Sequence, residues 1–279
     1  IKKSCVRNSL IPILIFSLIA VFTLQNSFAA VNFGSEINIS NDATESLSAR
    51  FSVVGSNVYA VWQDDSSGEK EIFFKQSSNG GTSFGTVINL SNTVGVDSTT
   101  PQITASGTSV FVVWQEGTTG DILFRASSDS GTSFSPSVSL SNNAGSSILP
   151  QITVSGSNVY IVWQDSTDGD YDIYFTKSTD LGNTFDPTVN ISALQTNISE
   201  NVQISVSGTN IYVIWGDDTG GLFGNGDIFF SRSTNSGTSF DAPVNLSSNF
   251  GNSAFPQIIS SGVNVFAVWQ DQTTGSGDI

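Results

Sequence analysis

The chain has 279 residues and a formal net charge of −15 at pH 7, with 24 acidic and 9 basic side chains. A chain this acidic is repelled by nucleic acids and by anionic membrane surfaces, which excludes both as partners. Histidine is absent and Cys5 is the single cysteine, so the sequence offers no Ser-His-Asp or Cys-His catalysis and no zinc site.

The N-terminus is typical of a secretory signal peptide. Three basic residues precede an apolar run over 10–24, and the small side chains of Ser27 and Ala29 suit cleavage after residue 29. The alternative is an uncleaved membrane anchor, for which the apolar run is short. We therefore predict a signal peptide over 1–29 and a mature domain over 30–279. The mature domain is expected outside the cell or at its surface, with no membrane insertion.

The rest of the chain is built from one repeat. Five tryptophans, each at the end of an apolar run, recur about 50 residues apart. Each unit predicts four short strands, as in 151–155, 158–164, 172–177 and 189–191 of the third unit. Four strands in a unit of about 50 residues are the signature of a propeller blade. The tryptophans are Trp62, Trp114, Trp163, Trp215 and Trp269.

A second motif, Ser-x-Asp/Asn-x-Gly-x-Ser/Thr-Phe, lies between the third and fourth predicted strands of four units. We interpret it as a turn that stabilises the fold: Asp or Asn accepts hydrogen bonds from turn amides, Gly takes a positive φ, and Phe fills the blade core. Its residues are Ser77, Asn79, Gly81, Phe84, Ser127, Asp129, Gly131, Phe134, Ser178, Asp180, Gly182, Phe185, Ser233, Asn235, Gly237 and Phe240.

This motif resembles the Asp-box of sialidases and related BNR-repeat proteins, and the resemblance extends over residues 32–279. It implies an all-β propeller of four-stranded blades. Four complete blades are predicted at 49–91, 100–141, 149–192 and 201–247, with a fifth that begins at Phe255 and reaches Asp278-Ile279.

The two ends of the repeat region are compatible with two different blade numbers. Residues 33–40 match 84–91, which predicts an additional outer fourth strand able to pair with the last blade and close the ring. The expected parent protein is then a six- or seven-bladed ring, incomplete here at the C-terminus. The alternative is a five-bladed ring closed without that strand.

Propeller topology places the loops between blades and the loops between the second and third strands on one side, which we call the acidic face because most carboxylates map to it. Either polar turns or an interaction surface for Ca²⁺, a cationic ligand or a basic partner explains this charge. Two loops break the repeat. The first predicts a calcium site at Asp165, Asp168, Asp170 and Asp172, and the second would expose Leu222 and Phe223 to a partner.

The resemblance also raises an enzyme hypothesis. Sialidases hold the substrate carboxylate with three arginines and use a Tyr backed by a Glu, with an Asp as acid/base; they also carry a Phe/Tyr-Arg-Ile-Pro motif. After residue 29 this chain has three arginines, and Arg125 and Arg232 occupy a repeated blade position. Carboxylate pairs such as Asp64 with Glu71 or Asp165 with Asp172 would suit another glycoside hydrolase, but they recur in every blade.

The sequence therefore predicts a secreted, non-catalytic recognition or surface propeller that binds an extracellular glycan or protein. The alternatives are a sialidase-like glycoside hydrolase with some catalytic residues outside this stretch, and a structural cell-surface repeat protein. Five glycosylation sequons begin at Asn38, Asn89, Asn190, Asn197 and Asn245, and four of them share one repeat position, so strand patterning explains them first.

Overall fold

The computed structural model describes residues 34–118, 120–193, 197–218, 226–273, 275 and 277–279. The predicted signal peptide and the Leu222–Phe223 segment lie outside these residues. Residues 34–38 belong to one unit and contain no strand, while every strand of the described chain lies in a second unit, residues 39–279. No helix in the described ranges is long and apolar enough to span a membrane.

Four antiparallel sheets of four strands follow one another along the chain, which confirms the prediction of an all-β fold of four-stranded blades. The first blade comprises β1 Ser46–Val54, β2 Asn57–Asp64, β3 Glu71–Ser77 and β4 Ile88–Asn89. The second comprises β5 Ser98–Ser106, β6 Ser109–Glu116, β7 Asp121–Ser127 and β8 Val138–Ser139. The third comprises β9 Ser147–Ser155, β10 Asn158–Asp165, β11 Asp172–Ser178 and β12 Val189–Asn190. The fourth comprises β13 Ser199–Ser207, β14 Asn210–Asp218, β15 Gly226–Ser233 and β16 Val244–Asn245.

A fifth sheet contains β17 Ser253–Ser261 and β18 Asn264–Asp271. An isolated antiparallel bridge joins Asp271 to Asp278. The same pairing, Asp165 with Asp172, opens the third strand of the third blade, so Asp278 stands where a third strand would begin. The outer strand predicted over 33–40 does not form in the described part of that range.

The first strands of successive blades lie side by side and form the inner wall of the propeller. The Ser205 and Ser260 hydroxyls are 2.8 Å apart, and the Ser207 hydroxyl donates to the Gly262 carbonyl at 2.9 Å. Each of these bonds joins residues about one repeat apart in the sequence. The first strand of each blade therefore contacts the first strand of the next, while the short fourth strand lies at the outside.

Every inner strand contains a bulge near its beginning. The register against the second strand shifts once in each blade, for example between Thr99 and Gln102. A residue in the bulge has a positive φ although it is not glycine, as at Thr100 with φ of 51°. An extra residue of this kind bends a strand and redirects its side chain. The positive-φ bulge residues are Ser48, Thr100, Leu149, Asn201 and Phe255.

Apolar side chains fill the spaces between blades. Between the first two blades, Tyr59 and Phe74 pack against Val110, Val112 and Trp114, all of them buried. Equivalent clusters join the second blade to the third and the third to the fourth. Because each interface buries large aromatic and β-branched groups, the hydrophobic stabilisation of the fold comes from contacts between neighbouring blades.

Candidate functional site

The Asp-box turns have the local geometry that the motif suggests. In the second box the Asp129 carboxylate accepts hydrogen bonds from the Ser133 amide at 2.9 Å and the Ser133 hydroxyl at 2.6 Å. The Ser127 hydroxyl donates to Asp129 and accepts from the Gly131 amide. The bonds from Ser133 lower the pKa of exposed Asp129 to about 2, and those from Thr184 lower the pKa of Asp180 in the same way.

The box phenylalanines pack into the cores between blades. Phe185 meets Phe124 of the preceding blade edge to face, with ring centroids 4.9 Å apart, and packs against the cluster that joins the second and third blades. Phe134 and Phe240 make the same contact with Phe74 and Phe175. The Asp-box therefore connects neighbouring blades, because its phenylalanine packs on the blade before it.

Carboxylates at the ends of the second strands are buried or half-buried and hydrogen-bonded within their own blade. Asp165 is fully buried and accepts bonds from Trp163 Nε1 at 2.9 Å, the Ser147 hydroxyl at 2.6 Å and Asn143 Nδ2 at 2.7 Å. Glu116 accepts equivalent bonds from Trp114 and Ser98 in the second blade. These acids therefore tie the tryptophan and the start of the first strand together.

The pKa values of these buried acids reflect two opposing effects. Burial raises the pKa of Asp165, but hydrogen bonds from Ser147, Thr167 and Trp163 outweigh it and the pKa is lowered. The same balance lowers the pKa of Asp64, where burial is opposed chiefly by hydrogen bonds from Ser46 and Ser66. Both groups are thus held as carboxylates in the folded protein.

The acids that open the third strands form a second repeated network. Asp172 accepts bonds from the Ser192 hydroxyl and from Asn190 Nδ2, both at 2.8 Å. Asp227 is bonded in the same way by Ser247 and Asn245. Asn190 and Asn245 are sequon residues, and their amides close this network in the folded protein.

The two carboxylate pairs considered for catalysis lie directly across from each other, Asp64 opposite Glu71 and Asp165 opposite Asp172. Each member of these pairs is bonded to a serine of its own network, and Glu71 is also buried. Much of the charge assigned to the acidic face therefore belongs to structural carboxylates inside the blades.

The predicted calcium ligands divide between these networks and the solvent. Asp165 and Asp172 belong to the networks described above, whereas Asp168 and Asp170 are exposed. Asp168 accepts a hydrogen bond from the Tyr174 hydroxyl at 2.6 Å, and burial together with this bond raises the pKa of Tyr174. The described residues contain no group of three or more acidic, His or Cys side chains arranged to hold a metal. The calcium site remains a prediction.

The three arginines lie in separate parts of the propeller. Arg50 is exposed on the innermost strand of the first blade and donates to the Ala49 carbonyl at 3.0 Å. Arg125 and Arg232 lie on the third strands of the second and fourth blades. Arg232 pairs with Asp241 at 3.0 Å. An arginine triad like that of a sialidase is thus not assembled from them.

The fourth blade departs from the buried network. Asp217 is buried and accepts a bond from Ser199 at 3.0 Å, but among the described residues no hydrogen bond reaches its Oδ1 atom or Trp215 Nε1. Burial raises the pKa of Asp217 to about 6, with a smaller contribution from Asp172, and the hydrogen bonds only partly oppose it. Asp217 therefore differs from Asp64 and Asp165, whose pKa values are lowered.

A set of residues that the sequence reasoning missed follows the bulges of the inner wall, two positions after each positive-φ residue. The side chain is glutamine in four blades and Arg50 in the first, and we call this set the glutamine arc. Its members pair across the sheet with Val61 and its equivalents. The repeated Pro/Val-Gln-Ile triplet was the available signal. The arc comprises Arg50, Gln102, Gln151, Gln203 and Gln257.

No protein-family model and no curated protein matches this sequence. Among solved structures, the GH93 α-L-arabinofuranosidase of Fusarium graminearum, in complex with arabinobiose, matches with a TM-score of 0.54 and 14% identity over 81% of this chain and 77% of its own. A leech intramolecular trans-sialidase matches with a TM-score of 0.58 and 11% identity, over 82% of this chain and 56% of its own.

A mutant of the NanB sialidase from Streptococcus pneumoniae matches with a TM-score of 0.55 and 10% identity, over 85% of this chain and 60% of its own. The chain thus spans little more than half the length of these two sialidase structures. Likeness at such low identity establishes the fold. This chain therefore has a β-propeller fold like that of the arabinofuranosidase and the two sialidases.

Proposed function

We propose that this protein is a secreted, non-catalytic carbohydrate-recognition propeller. The observation that carries the proposal is the arrangement of its carboxylates. A glycosidase needs an acid and a second carboxylate that both reach the substrate. Here the paired acids of successive blades are bonded to serines of their own blade, as Asp165 is to Ser147 and Asp172 is to Ser192.

The fold supports a glycan as the ligand, because the structures it resembles include an arabinofuranosidase and sialidases. Secretion rests on the signal peptide predicted over residues 1–29. In this proposal the glycan binds to the inner wall and the acidic face, and the protein does not hydrolyse it.

The test separates binding from turnover. The purified protein is applied to an array of neutral and anionic glycans, and every glycan that binds is incubated with it at pH 4 to 8 before its products are separated by chromatography. We expect saturable binding with the glycan recovered intact. Cleavage of a bound glycan, or binding of none, would overturn the proposal.

One observation favours a second candidate, a glycoside hydrolase. The pKa of Asp217 is raised to about 6, in the range that suits a general acid, and this carboxyl lies in the blade that breaks the repeat. If hydrolysis is detected, the Asp217→Asn variant tests whether this carboxyl is the general acid. Loss of turnover with retained binding would identify Asp217 as the acid, and unchanged turnover would place the chemistry elsewhere.

A further inference from the structure

The glutamine arc differs from the glutamines that serve the fold. Gln63 and Gln164 follow a tryptophan, and each accepts a hydrogen bond from a bulge amide of the next blade, Thr100 at 3.0 Å and Asn201 at 3.2 Å. Their role in locking neighbouring blades together is therefore structural. Both side chains are buried, as a structural amide in the core should be.

The side chains of the arc have no such bonds. Gln102, Gln151 and Gln203 are half buried and Gln257 is exposed. None of the four has a side-chain hydrogen bond within the described residues. A half-buried amide satisfies its donors and acceptor with water or with a ligand, since leaving them unpaired is costly. Three such amides, together with the exposed amide of Gln257, lie at equivalent positions of neighbouring strands and form a row of donors and acceptors along the inner wall.

The bulges place apolar groups beside this row. Leu149 is 39% exposed and Phe255 is 63% exposed, each in a positive-φ conformation two residues before a glutamine of the arc. A non-glycine residue in this conformation is strained, and it keeps the conformation only where the surrounding structure holds it there. Unlike the glutamines, the bulge residues differ from blade to blade, as residues that set specificity would.

The charge of this region disfavours an anionic ligand. Glu45 and Glu200 are exposed next to the first residues of the inner strands, and Arg50 is the single basic residue of the arc. An amide offers both two donors and an acceptor, which matches the hydroxyl groups of a sugar without requiring charge. An aromatic ring such as Phe255 adds an apolar surface on which the C–H face of a sugar can lie.

We propose that the glutamine arc binds a neutral, hydroxyl-rich glycan, with the amides of Gln151 and Gln203 bonded to sugar hydroxyls and Phe255 stacked on a sugar ring. This inference rests on the proposed function and adds to it the site and the class of glycan. It predicts that binding is insensitive to salt, because no charged pair contributes to it.

The experiment measures the affinity of the full chain for neutral polysaccharides (linear arabinan, xylan and starch) and for 3′-sialyllactose as an anionic probe. The Gln151→Ala/Gln203→Ala double variant and Phe255→Ala remove the proposed contacts. Gln76→Ala is the matched control, since Gln76 is also half buried and without a side-chain hydrogen bond in the described chain but lies on a third strand. Equal unfolding midpoints establish that the variants fold.

We expect at least one neutral polysaccharide to bind, with affinity about tenfold lower for the double variant and for Phe255→Ala and unchanged for Gln76→Ala. Binding of a neutral polysaccharide that is unchanged in both arc variants would overturn the site while leaving carbohydrate recognition intact. Binding of 3′-sialyllactose alone would overturn the ligand class. Failure to bind any of these probes would overturn this inference, whereas failure on the whole glycan array would overturn the proposed function too.

Discussion

Replacing an Asp-box glycine tests whether the box joins neighbouring blades. Gly182 has a φ of +82°, and a Cβ placed on it would lie 2.6 Å from Cζ of Phe124 in the preceding blade. Gly81 has a φ of +83°, but its added Cβ would meet only Val58 Cγ2, at 4.0 Å. The two glycines therefore share one backbone conformation and differ in whether a neighbouring blade lies against them.

The expected loss of stability has two contributions, one from the backbone conformation and one from the contact with the neighbouring blade. A non-glycine residue at a left-handed φ costs roughly 1–2 kcal/mol, so Gly81→Ala should lower the free energy of unfolding by about that amount. Gly182→Ala carries the same cost and also pushes a methyl group into the buried Phe124 ring, for which overpacking adds about 1–3 kcal/mol. The difference between the two variants isolates the contact between blades.

Urea unfolding followed by tryptophan fluorescence measures both variants against the wild-type chain. In the Gly182→Ala background, Phe124→Leu removes the ring that the new methyl group strikes, so it should destabilise less there than in the wild-type chain. Equal losses for Gly81→Ala and Gly182→Ala would refute the reasoning, because the box would then stabilise only its own turn.

The remaining predictions concern hydrogen bonds and titration. Trp163→Phe should cost about 1.5–3 kcal/mol more than Trp215→Phe in urea unfolding, because Trp163 Nε1 donates to the buried Asp165 carboxylate at 2.9 Å, whereas Trp215 Nε1 has no hydrogen bond of normal geometry among the described residues. The pKa of Asp217 is raised to about 6, so the native state loses stability as pH rises from about 4 to 6; Asp217→Asn should raise the free energy of unfolding at pH 8 by at most about 3 kcal/mol and leave it unchanged at pH 4. The pKa of Asp129 is lowered to about 2, so its contribution is present above about pH 4 and lost as pH falls through 2; Asp129→Asn should flatten acid unfolding over this range. If the calcium prediction holds, calorimetry shows saturable Ca²⁺ binding that Asp168→Asn abolishes, and absence of heat would contradict it.

The fold was predictable because its determinants are local and repeated. The five tryptophans end apolar runs at one spacing, and the turns beside them carry glycine and asparagine, so the four-stranded blade and its strand order follow from the sequence alone. Strand ends were less predictable. The fourth strand of the third blade ends at Asn190, and Ile191 instead packs into the core between blades.

The site was harder to predict because the relevant contacts join distant residues. Nothing near Asp165 in the sequence shows that Ser147 lies 2.6 Å from its carboxylate, although a serine precedes the acid by the same interval in each blade. The carboxylates were therefore interpreted as surface charge when several are buried. The glutamine arc escaped notice for a related reason, since a strand pattern cannot tell an amide that bonds the next blade from one that is left without a partner.

The inter-blade contact of the Asp-box has a consequence for how such a protein can lengthen. Because Gly182 and Phe185 fit against Phe124, the box of one sheet completes the preceding sheet. A copy of one repeat placed next to its original would therefore carry both halves of the contact, the box that fits the preceding sheet and the Phe124-type ring that receives the following box. The chain could gain a blade in this way without any new kind of interface, whereas a copy that lacked the box would leave the preceding ring uncovered.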